Sequence, residues 1–420
     1  MLRLHRILGL AMLCLVAVAG AAAAAAAPVL KRGINFEVWQ TWIGRDAFLA
    51  PDFDRANFPD WRSRVDDRQL ARLKAEGFDF VRLNLDAAAM LWAGDDGAGP
   101  LIDGAVSATR RLQTAGFAVI VDLHLLPADE ERPGGLEDVI GTGGHAPALW
   151  ERYLALVTRV AGRLAGLPLD LTLLEPINEP DQDWNSYLAL TDRWPDQLAA
   201  LRAAARAAAP DLTLVLTGSR SGGIAGLERL DPAPFADDPN IVWTFHYYEP
   251  MAVSHAGRPW IDDPSRYLTG LPYPAARLDD AKGQRLLRDA RQRIAGDVTD
   301  NKRRKALDAG VGKALDAYRA SGAGPETVAA DFRRVGDWAA RNGIPAGRIL
   351  LGEFGVYREG ADPAARLALI DTTRTAAEAA GFAWAVFTAG LTAPGQAFAV
   401  VGDASTLALD PEMKAALGLR

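Results

Sequence analysis

The sequence predicts an α/β fold, a (β/α)8 or TIM barrel with a helical insertion after its sixth strand, and three observations lead to this prediction. Eight short apolar runs recur along the chain, and helical patterns separate them. Several runs, such as "AVIVDL" and "RILL", are almost continuously apolar, which is typical of parallel strands covered on both faces. Glycine closes two of the helical patterns, as it does at many helix ends. Eight strands that alternate with helices are typical of such a barrel.

The apolar runs predict strands over Arg32–Phe36, Phe78–Leu85, Ala118–His124, Leu171–Ile177, Leu212–Thr217, Ile241–His246, Arg348–Glu353 and Phe382–Phe387. The helical patterns predict helices over Arg68–Glu76, Gly104–Ala115, Ala146–Leu164, Ser186–Ala209, Glu326–Asn342 and Pro363–Ala380. The connection after the sixth strand is far longer than the others. We therefore predict one catalytic barrel domain over residues 28–420, with a mostly helical insertion over residues 251–325.

The first 27 residues predict a secretory signal peptide. Arg3 and Arg6 precede an apolar run from Ile7 to Gly20, and small residues from Ala21 to Ala27 follow it. The apolar run is too short for a comfortable transmembrane span. The chain's one cysteine, Cys14, lies in this run, so cleavage would remove all thiol and disulfide chemistry. We therefore expect a secreted or periplasmic protein with no membrane contact after cleavage.

Charge and motif content argue against several kinds of partner. The chain has 46 basic and 53 acidic residues, a formal net charge of −7, and it becomes more negative without the leader arginines. Such a surface gives no reason to expect nucleic acid or anionic lipid as a partner. The sequence contains neither HxH or HExxH spacing nor a GxGxxG loop, so it predicts no metal and no cofactor.

Polar residues gather where the predicted strands end, and in such barrels the active site lies at the carboxyl ends of the strands. They are Arg82 in "FVRLN", His124 in "VDLH", Asn178 and Glu179 in "PINEP", His246 and Tyr248 in "TFHYYEP", and Glu353 in "LLGEFG". Glu179 and Glu353, on strands four and seven, can face each other across the barrel mouth. Glycoside cleavage requires such a pair, because one carboxyl protonates the leaving oxygen while the other attacks the anomeric carbon or activates water.

These motifs together resemble those of glycoside hydrolase family 5, the cellulase family of retaining (β/α)8 hydrolases. The similarity extends over essentially the whole mature chain, and "NEP" followed by "HYY" and "GEFG" is its most specific part. The resemblance implies that Glu179 is the acid/base and Glu353 the nucleophile. It implies further that Asn178 binds the sugar 2-hydroxyl and that Arg82 supports the nucleophile.

The resemblance also implies which residues line the cleavage subsite. They are His124, His246 and Tyr248, with Trp384 of "FAWAVF" as the stacking floor. Other tryptophans follow strand ends or lie in loops, where an aromatic face can stack on a sugar ring: Trp39, Trp42, Trp92, Trp184 and Trp260.

Two further acids, Glu175 and Glu37, lie near this site, and the charges of Glu179 and Glu353 affect each other. Glu175 in "LEPINEP" shares the inward parity of Glu179 under period-two alternation, so we expect a buried, paired support residue. Glu37, in "RGINFEVWQTW", is placed to contact a distal sugar. Because two close carboxylates resist ionising together, we expect the charge of Glu353 to keep Glu179 protonated.

The predicted function is a retaining endo-β-glycanase that hydrolyses a β-linked polysaccharide or oligosaccharide, with β-1,4-glucan as the first candidate. Mannan, xyloglucan, mixed-linkage and β-1,3/1,6-glucans stay open as substrates, as does exopolysaccharide processing by hydrolysis or transglycosylation. The alternative from another class is a catalytically silent glycan-binding protein that has kept the cleft.

Overall fold

Eight parallel strands close into a barrel in the computed structural model of the chain, which describes residues 28–37, 43–54, 65–141, 147–180, 193–261, 263–391, 397–403 and 405–419. The strands are β1 (Arg32–Phe36), β2 (Phe80–Asp86), β3 (Ala118–His124), β4 (Thr172–Glu175), β5 (Thr213–Thr217), β6 (Ile241–His246), β7 (Ile349–Phe354) and β8 (Ala383–Val386). Each strand pairs with the next, and β1 pairs with β8, which closes the barrel. The predicted fold class is therefore confirmed, while the predicted signal peptide lies outside the described residues.

Strand boundaries agree with the prediction to within two residues, and the difference at the fourth strand matters for the site. β4 ends at Glu175 because Pro176 follows it and has no N–H to donate to the ladder. The predicted alternation holds up to this point, since Leu173 packs inside the barrel. It fails beyond it, because Ile177 packs into the outer core between strands and helices.

A small apolar layer fills the barrel below the site. It is formed by Phe80, Ala118, Ile120, Leu173, Val215, Val242, Leu350, Ala383 and Ala385. On β1 the position that faces Phe80 is Gly33, where an added Cβ would lie 2.3 Å from the Phe80 ring. Glycine is therefore required here, since the ring of Phe80 occupies the volume that a side chain on β1 would need.

Helices cover the outside of the barrel. They are α1 (Arg45–Leu49), α2 (Asp67–Ala75), α3 (Ala87–Trp92), α4 (Gly94–Thr114), α5 (Leu136–Ile140), α6 (Pro147–Leu164), α7 (Trp194–Ala208), α8 (Ile224–Arg229), α9 (Met251–Ser254), α10 (Asp280–Asp297), α11 (Asn301–Ala320), α12 (Pro325–Arg341), α13 (Pro363–Ala379) and α14 (Pro411–Ala416). A short antiparallel pair, β9 (Val401–Asp403) and β10 (Ala408–Leu409), follows the barrel. Among the described residues, no helix combines the length and apolar character needed to cross a membrane.

Two helix starts show how local chemistry sets the boundaries. Asp66 caps α2, because its side chain accepts from the backbone N–H of Gln69, whose own side chain accepts from the N–H of Asp66. The start predicted for α4 at Gly104 is wrong, since the helix begins at Gly94 and continues through Pro100. Pro100 lies in the second turn of the helix, where its missing N–H costs one backbone hydrogen bond and does not end the helix.

The segment between β6 and β7 contains α9, α10, α11 and α12. Helices α10 and α11 pack against each other, and each has an apolar buried side, which includes Ile294 of α10 and Val311 of α11. Helix α12 packs against α13 and α8, as a barrel helix does. That residues 251–325 are an addition to the minimal barrel stays a prediction.

Candidate active site

Arg82 on β2 lies at the centre of a buried hydrogen-bond network at the carboxyl ends of the strands. Its Nε and Nη2 atoms donate to the two carboxylate oxygens of Glu175 at 2.7 and 2.9 Å. Nη1 donates to Glu353 Oε1 at 2.6 Å and to Asn35 Oδ1 at 3.0 Å, and Nη2 donates to Asn178 Oδ1 at 2.8 Å. One guanidinium therefore fixes groups from β1, β4 and β7, which is geometry that only arginine offers.

The network contains more carboxylates than cations. Besides Glu175 and Glu353, the Oδ2 atom of Asp122 lies 3.2 Å from Arg82 Nη2. Burial by itself would lower the pKa of Arg82, but the three acids raise that pKa well above its usual value. Burial raises the pKa of Glu175 to about 7, against the opposing effect of Arg82. The prediction that Glu175 is buried and paired is confirmed, since it is fully buried and bound to Arg82 by two hydrogen bonds.

Glu353 projects from β7 and is 3% exposed. Arg82 donates to its Oε1 atom, and the hydroxyl of Tyr248, just after β6, donates to Oε2 at 2.8 Å. Burial and then the charge of Glu353 raise the pKa of Tyr248 well above its usual range. The hydroxyl therefore keeps its proton, and two fixed donors orient the carboxylate of Glu353.

Glu179 lies opposite, in a backbone conformation that is rare for its residue type. Its φ angle is +32°, in the left-handed region that non-glycine residues seldom adopt. The turn that begins at Pro176 lets two successive residues, Asn178 and Glu179, both face the site, which a strand would not allow. Strain of this kind is concentrated at functional positions.

Burial raises the pKa of Glu179 to about 7, while the charges of His124 and Arg82 oppose the shift and that of Asp122 adds to it. The side chain is still 31% exposed and so reaches the cleft. Desolvation, and not the charge of Glu353 as the sequence suggested, is thus the main reason that this carboxyl holds its proton.

His246, at the end of β6, lies between the two glutamates. Its Nδ1 atom is 2.6 Å from Glu179 Oε1 and 3.7 Å from Glu353 Oε2, and one oxygen of each carboxyl lies within 4.8 Å of the other. Burial lowers the pKa of His246 to about 4, so the ring is neutral near pH 7. A neutral Nδ1 without a proton accepts the hydrogen bond of a protonated Glu179.

A second chain of hydrogen bonds orients Asn178. Asp122 Oδ2 is 2.9 Å from His124 Nδ1 and accepts from Asn84 Nδ2 at 2.7 Å. A carboxylate only accepts, so Nδ1 of His124 carries the proton. Burial lowers the pKa of His124, but the charge and hydrogen bond of Asp122 raise it above its usual value, so the ring is neutral only towards higher pH. In that neutral form Nε2 is an acceptor, and Asn178 Nδ2 lies 3.1 Å from it. With its oxygen on Arg82 and one N–H on His124, the amide of Asn178 has one N–H left for a ligand.

The sequence reasoning missed three members of these networks. Asp122 lies two residues before His124 on β3, and Asn84 lies two residues after Arg82 on β2, so each shares an inward-facing side with a predicted residue. Asn35 of β1 has the same parity as Gly33. Period-two alternation, applied to all polar residues of these strands, would have found them.

The structure contradicts the assignment of Trp384 to the stacking floor. Its ring is fully buried on the outer side of β8, 5.8 Å from the ring of Phe354, and its Nε1 atom donates to Glu378 of α13 at 3.2 Å. The alternation of β8 explains this, because Ala383 and Ala385 take the inward positions. The aromatic residue after the end of this strand is Phe387, whose ring lies 5.5 Å from that of Phe398.

Glu37 follows β1 at the same end of the barrel. Burial raises its pKa to about 7, with the charge of His124 opposing the shift and that of Glu353 adding to it. Its backbone N–H donates to Thr388 Oγ1 at 3.4 Å. Contact with a distal sugar stays a prediction. Of the loop tryptophans, Trp39, Trp42 and Trp184 lie outside the described residues, Trp92 donates to the carbonyl of Pro133, and Trp260 is 61% exposed.

Glu179, His246 and Glu353 also have the donor spacing of a metal site, since one donor atom from each lies within 4.8 Å of the others. Their atoms are already engaged, with a 2.6 Å hydrogen bond between His246 and Glu179 and donors from Arg82 and Tyr248 on Glu353. An ion would have to displace the first of these bonds. The two carboxyl groups are therefore held in place by hydrogen bonds with His246, Arg82 and Tyr248.

Comparison with known proteins identifies relatives that are cellulases or endoglucanases. The family model described as Cellulase (glycosyl hydrolase family 5) matches residues 54–390. Endoglucanase 3 of Fibrobacter succinogenes (strain ATCC 19169 / S85) is 25% identical over 225 residues, which are 54% of this chain and 30% of that protein. The matched part thus spans less than a third of the length of that relative.

Two solved structures are similar in fold. The endoglucanase of the hyperthermophilic Thermotoga maritima superposes with a TM-score of 0.61 at 21% identity, over 93% of this chain and 97% of the other. A family 5 xyloglucanase from Paenibacillus pabuli gives a TM-score of 0.64 at 14% identity, over 93% and 98%. Since the family model covers most of the chain, the resemblance predicted from "NEP", "HYY" and "GEFG" is confirmed. The chain belongs to the cellulase family, glycosyl hydrolase family 5.

Proposed function

We propose that the chain is an endo-acting β-glycanase that hydrolyses β-glucan with retention of configuration, with Glu353 as nucleophile and Glu179 as acid/base. One observation carries the proposal: a carboxylate oxygen of Glu179 and one of Glu353 lie within 4.8 Å of each other. Retaining glycosidases hold these groups about 5–5.5 Å apart, whereas inverting enzymes leave about 6.5–9.5 Å for a water molecule.

In the first step the carboxylate of Glu353 attacks the anomeric carbon and forms an ester bond to it. The glycosidic C–O bond breaks, and its electron pair goes to the leaving oxygen, which takes the proton of Glu179. A carboxyl with a pKa of about 7 keeps this proton in neutral and mildly acidic solution. The neutral ring of His246 orients the protonated carboxyl through its 2.6 Å contact.

In the second step water attacks the anomeric carbon and gives a proton to the carboxylate of Glu179. The ester bond breaks, and its electron pair returns to Glu353. The remaining N–H of Asn178 is available for the 2-hydroxyl of the sugar, the role that the family resemblance implies. A hydrogen bond there would strengthen as the anomeric centre gains positive charge.

β-1,4-Glucan is the substrate we propose first, supported by the name of the matching family and by the endoglucanase relative. Mannan, xyloglucan, mixed-linkage and β-1,3/1,6-glucans are the other members of the test panel, because the same carboxyl pair serves each linkage. We further propose secretion or export to the periplasm, supported by the basic, apolar and small-residue order of residues 1–27.

The test combines an activity screen on this panel with NMR analysis of the anomeric configuration of the first product. We expect cleavage of β-1,4-glucan with a β-configured product.

Glu353→Gln should abolish turnover while the thermal unfolding midpoint stays close to that of the wild type, since the amide cannot form the ester. Glu151→Gln, on an exposed position of α6, is the matched control. An α-configured product would refute retention, and binding of a glycan without cleavage of any would favour the glycan-binding alternative.

A further inference from the structure

An aromatic row leads from solvent to the proposed nucleophile. Trp260, 61% exposed in the segment after β6, has its ring 5.9 Å from that of Tyr357. Tyr357 lies 3.9 Å from Phe398, whose ring is 5.4 Å from that of Tyr248. Tyr248 in turn donates to Glu353. Phe398 is buried behind the row, whereas Trp260 is exposed and Tyr357 half-buried, so these two rings offer apolar faces to a sugar.

A polar cavity of about 330 Å³ lies beside this row, between the segment after β6 and the loop after β7. Three arginines line it, Arg258, Arg266 and Arg293, and we call it the arginine pocket. Arg258 joins the pocket to the row, because its guanidinium carbon lies 4.7 Å from the centre of the Tyr357 ring. The cavity and the row are therefore parts of one surface.

The charges of the arginine pocket are only partly balanced. Asp263 pairs with Arg266 at 2.6 Å and also with Arg303 of α11 at 3.0 Å. Arg258 and Arg293 form no ion pair with any residue that the structure describes, and the Nε atom of Arg258 is buried without a hydrogen-bond partner among those residues. Asp297 is the acidic residue of the described lining. Arg293 is exposed and donates to the carbonyl oxygen of Tyr267 at 3.0 Å. The lining thus has two guanidinium groups without an ion pair and one carboxylate, which leaves an excess of positive charge.

We propose that the aromatic row and the arginine pocket form an outer subsite for an acidic sugar residue, in which Trp260 stacks on the sugar ring and Arg258 and Arg293 bind its carboxylate. The inference rests on the proposed function, because the sugar belongs to the glycan that runs to Glu353. Guanidinium groups bind carboxylates through paired N–H donors. The substrate class is thus a β-glycan that carries carboxylate groups.

A carboxylate fits this charge better than a phosphate group does. A sugar carboxylate brings one negative charge, which Arg258 and Arg293 can offset beside Asp297. A phosphate monoester brings about 1.5 to 2 negative charges near pH 7 and would leave an excess beside Asp297. A neutral glucan has no charge to offset the two guanidinium groups, whereas a carboxylate can also accept from the buried Nε of Arg258.

The experiment compares two soluble β-1,4-glucans, carboxymethyl cellulose and uncharged hydroxyethyl cellulose, on the wild-type enzyme and on Arg258→Met and Arg293→Met. We expect kcat/KM on the carboxymethyl polymer to fall about tenfold more than on the uncharged polymer in each variant, as loss of a charge-assisted hydrogen bond predicts. Arg285→Met, an exposed arginine of α10 outside the pocket, is the matched control and should leave the ratio of the two rates unchanged. An equal fall on both polymers would overturn the proposal.

Direct binding separates this proposal from the proposed function. Chemical-shift changes on titration with glucuronic acid, glucose and inorganic phosphate should show binding of glucuronic acid, weakened by salt and lost in Arg293→Met. Stronger binding of phosphate than of glucuronic acid, or equal binding of glucose, would contradict a carboxylate subsite. If neither polymer is cleaved but glucuronic acid still binds, the proposed hydrolysis is wrong while the subsite stands.

Discussion

Among single residues, Glu179 decides the pH range in which the first step can occur. Because burial raises its pKa to about 7, it can donate a proton below that pH and loses this ability above it. We expect kcat/KM to decline on the alkaline side with an apparent pKa near 7. The measurement is a pH–rate profile on a cello-oligosaccharide.

The variant that tests this assignment is Glu179→Ala. We expect its rate on the oligosaccharide to fall by about 10²- to 10⁴-fold, because the leaving oxygen loses its proton donor. On an aryl glycoside with an acidic phenol as leaving group, ester formation should be much less affected, and the alkaline decline should disappear. A variant that keeps the alkaline decline would show that another group, such as Glu37, sets it.

Arg82 is the residue on which the geometry of the site depends most. It is fully buried and contacts Glu175, Glu353 and Asn178 at once. Removal of one member of a buried ion pair costs about 3–5 kcal/mol, since the partner charge stays buried. We therefore expect Arg82→Met to lower the free energy of unfolding by that order, measured by urea denaturation.

Arg82→Lys provides the sharper comparison. An ammonium group cannot make the paired hydrogen bonds to Glu175 and also reach Glu353, so we expect loss of kcat even if the fold persists. Arg291→Lys, on an exposed position of α10, serves as the control. Activity of Arg82→Lys close to that of the wild type would show that charge alone, without the fork geometry, supports the nucleophile.

Among the elements, β1 is fixed by a close contact at the floor of the barrel. An added Cβ at Gly33 would lie 2.3 Å from the Phe80 ring, so we expect Gly33→Ala to lower the free energy of unfolding by about 1–3 kcal/mol. The double variant Gly33→Ala/Phe80→Leu should recover part of this loss, because the smaller side chain makes room. Additive effects in the double-mutant cycle would refute the contact.

The strands were predictable from sequence because their signal is local. Short apolar runs located all eight to within two residues, and the polar residues at their ends predicted that Glu179 and Glu353 face each other. The prediction of which side chains face inward failed where the regular strand ends. The turn after Glu175 moves Ile177 outward, and the orientation of Trp384 follows from the small inward-facing residues on either side of it.

Other features depend on tertiary contacts that a single sequence does not contain. The helical start at Gly94 is an example, since Gly104 and Pro100 favour a break by propensity. The arginine pocket is another, because Arg258 and Arg293 are brought together only by the folding of the segment after β6. A charged residue in a long connection is by itself indistinguishable from a solvated one.

For the molecule as a whole, the buried ionisable side chains of the site connect strands around most of the barrel. The stability of the protein therefore depends on pH. Glu175 is the clearest case, since it is fully buried and burial raises its pKa from the usual 4.5 to about 7. Between these values the folded state keeps a proton that the unfolded state releases. Its contribution to stability is therefore present below about pH 4.5 and is lost as the pH rises through about 7.

Glu175→Gln removes this titration and keeps the shape of the side chain. We expect the free energy of unfolding of the wild type, relative to the variant, to decrease between about pH 4.5 and pH 7, measured by urea denaturation at several pH values. Glu151→Gln should follow the wild type at every pH. If Arg82 instead kept Glu175 ionised through its two hydrogen bonds, the wild type would gain stability over the variant as the pH rises. The sign of the slope thus decides whether desolvation or the arginine controls the charge at the centre of the barrel.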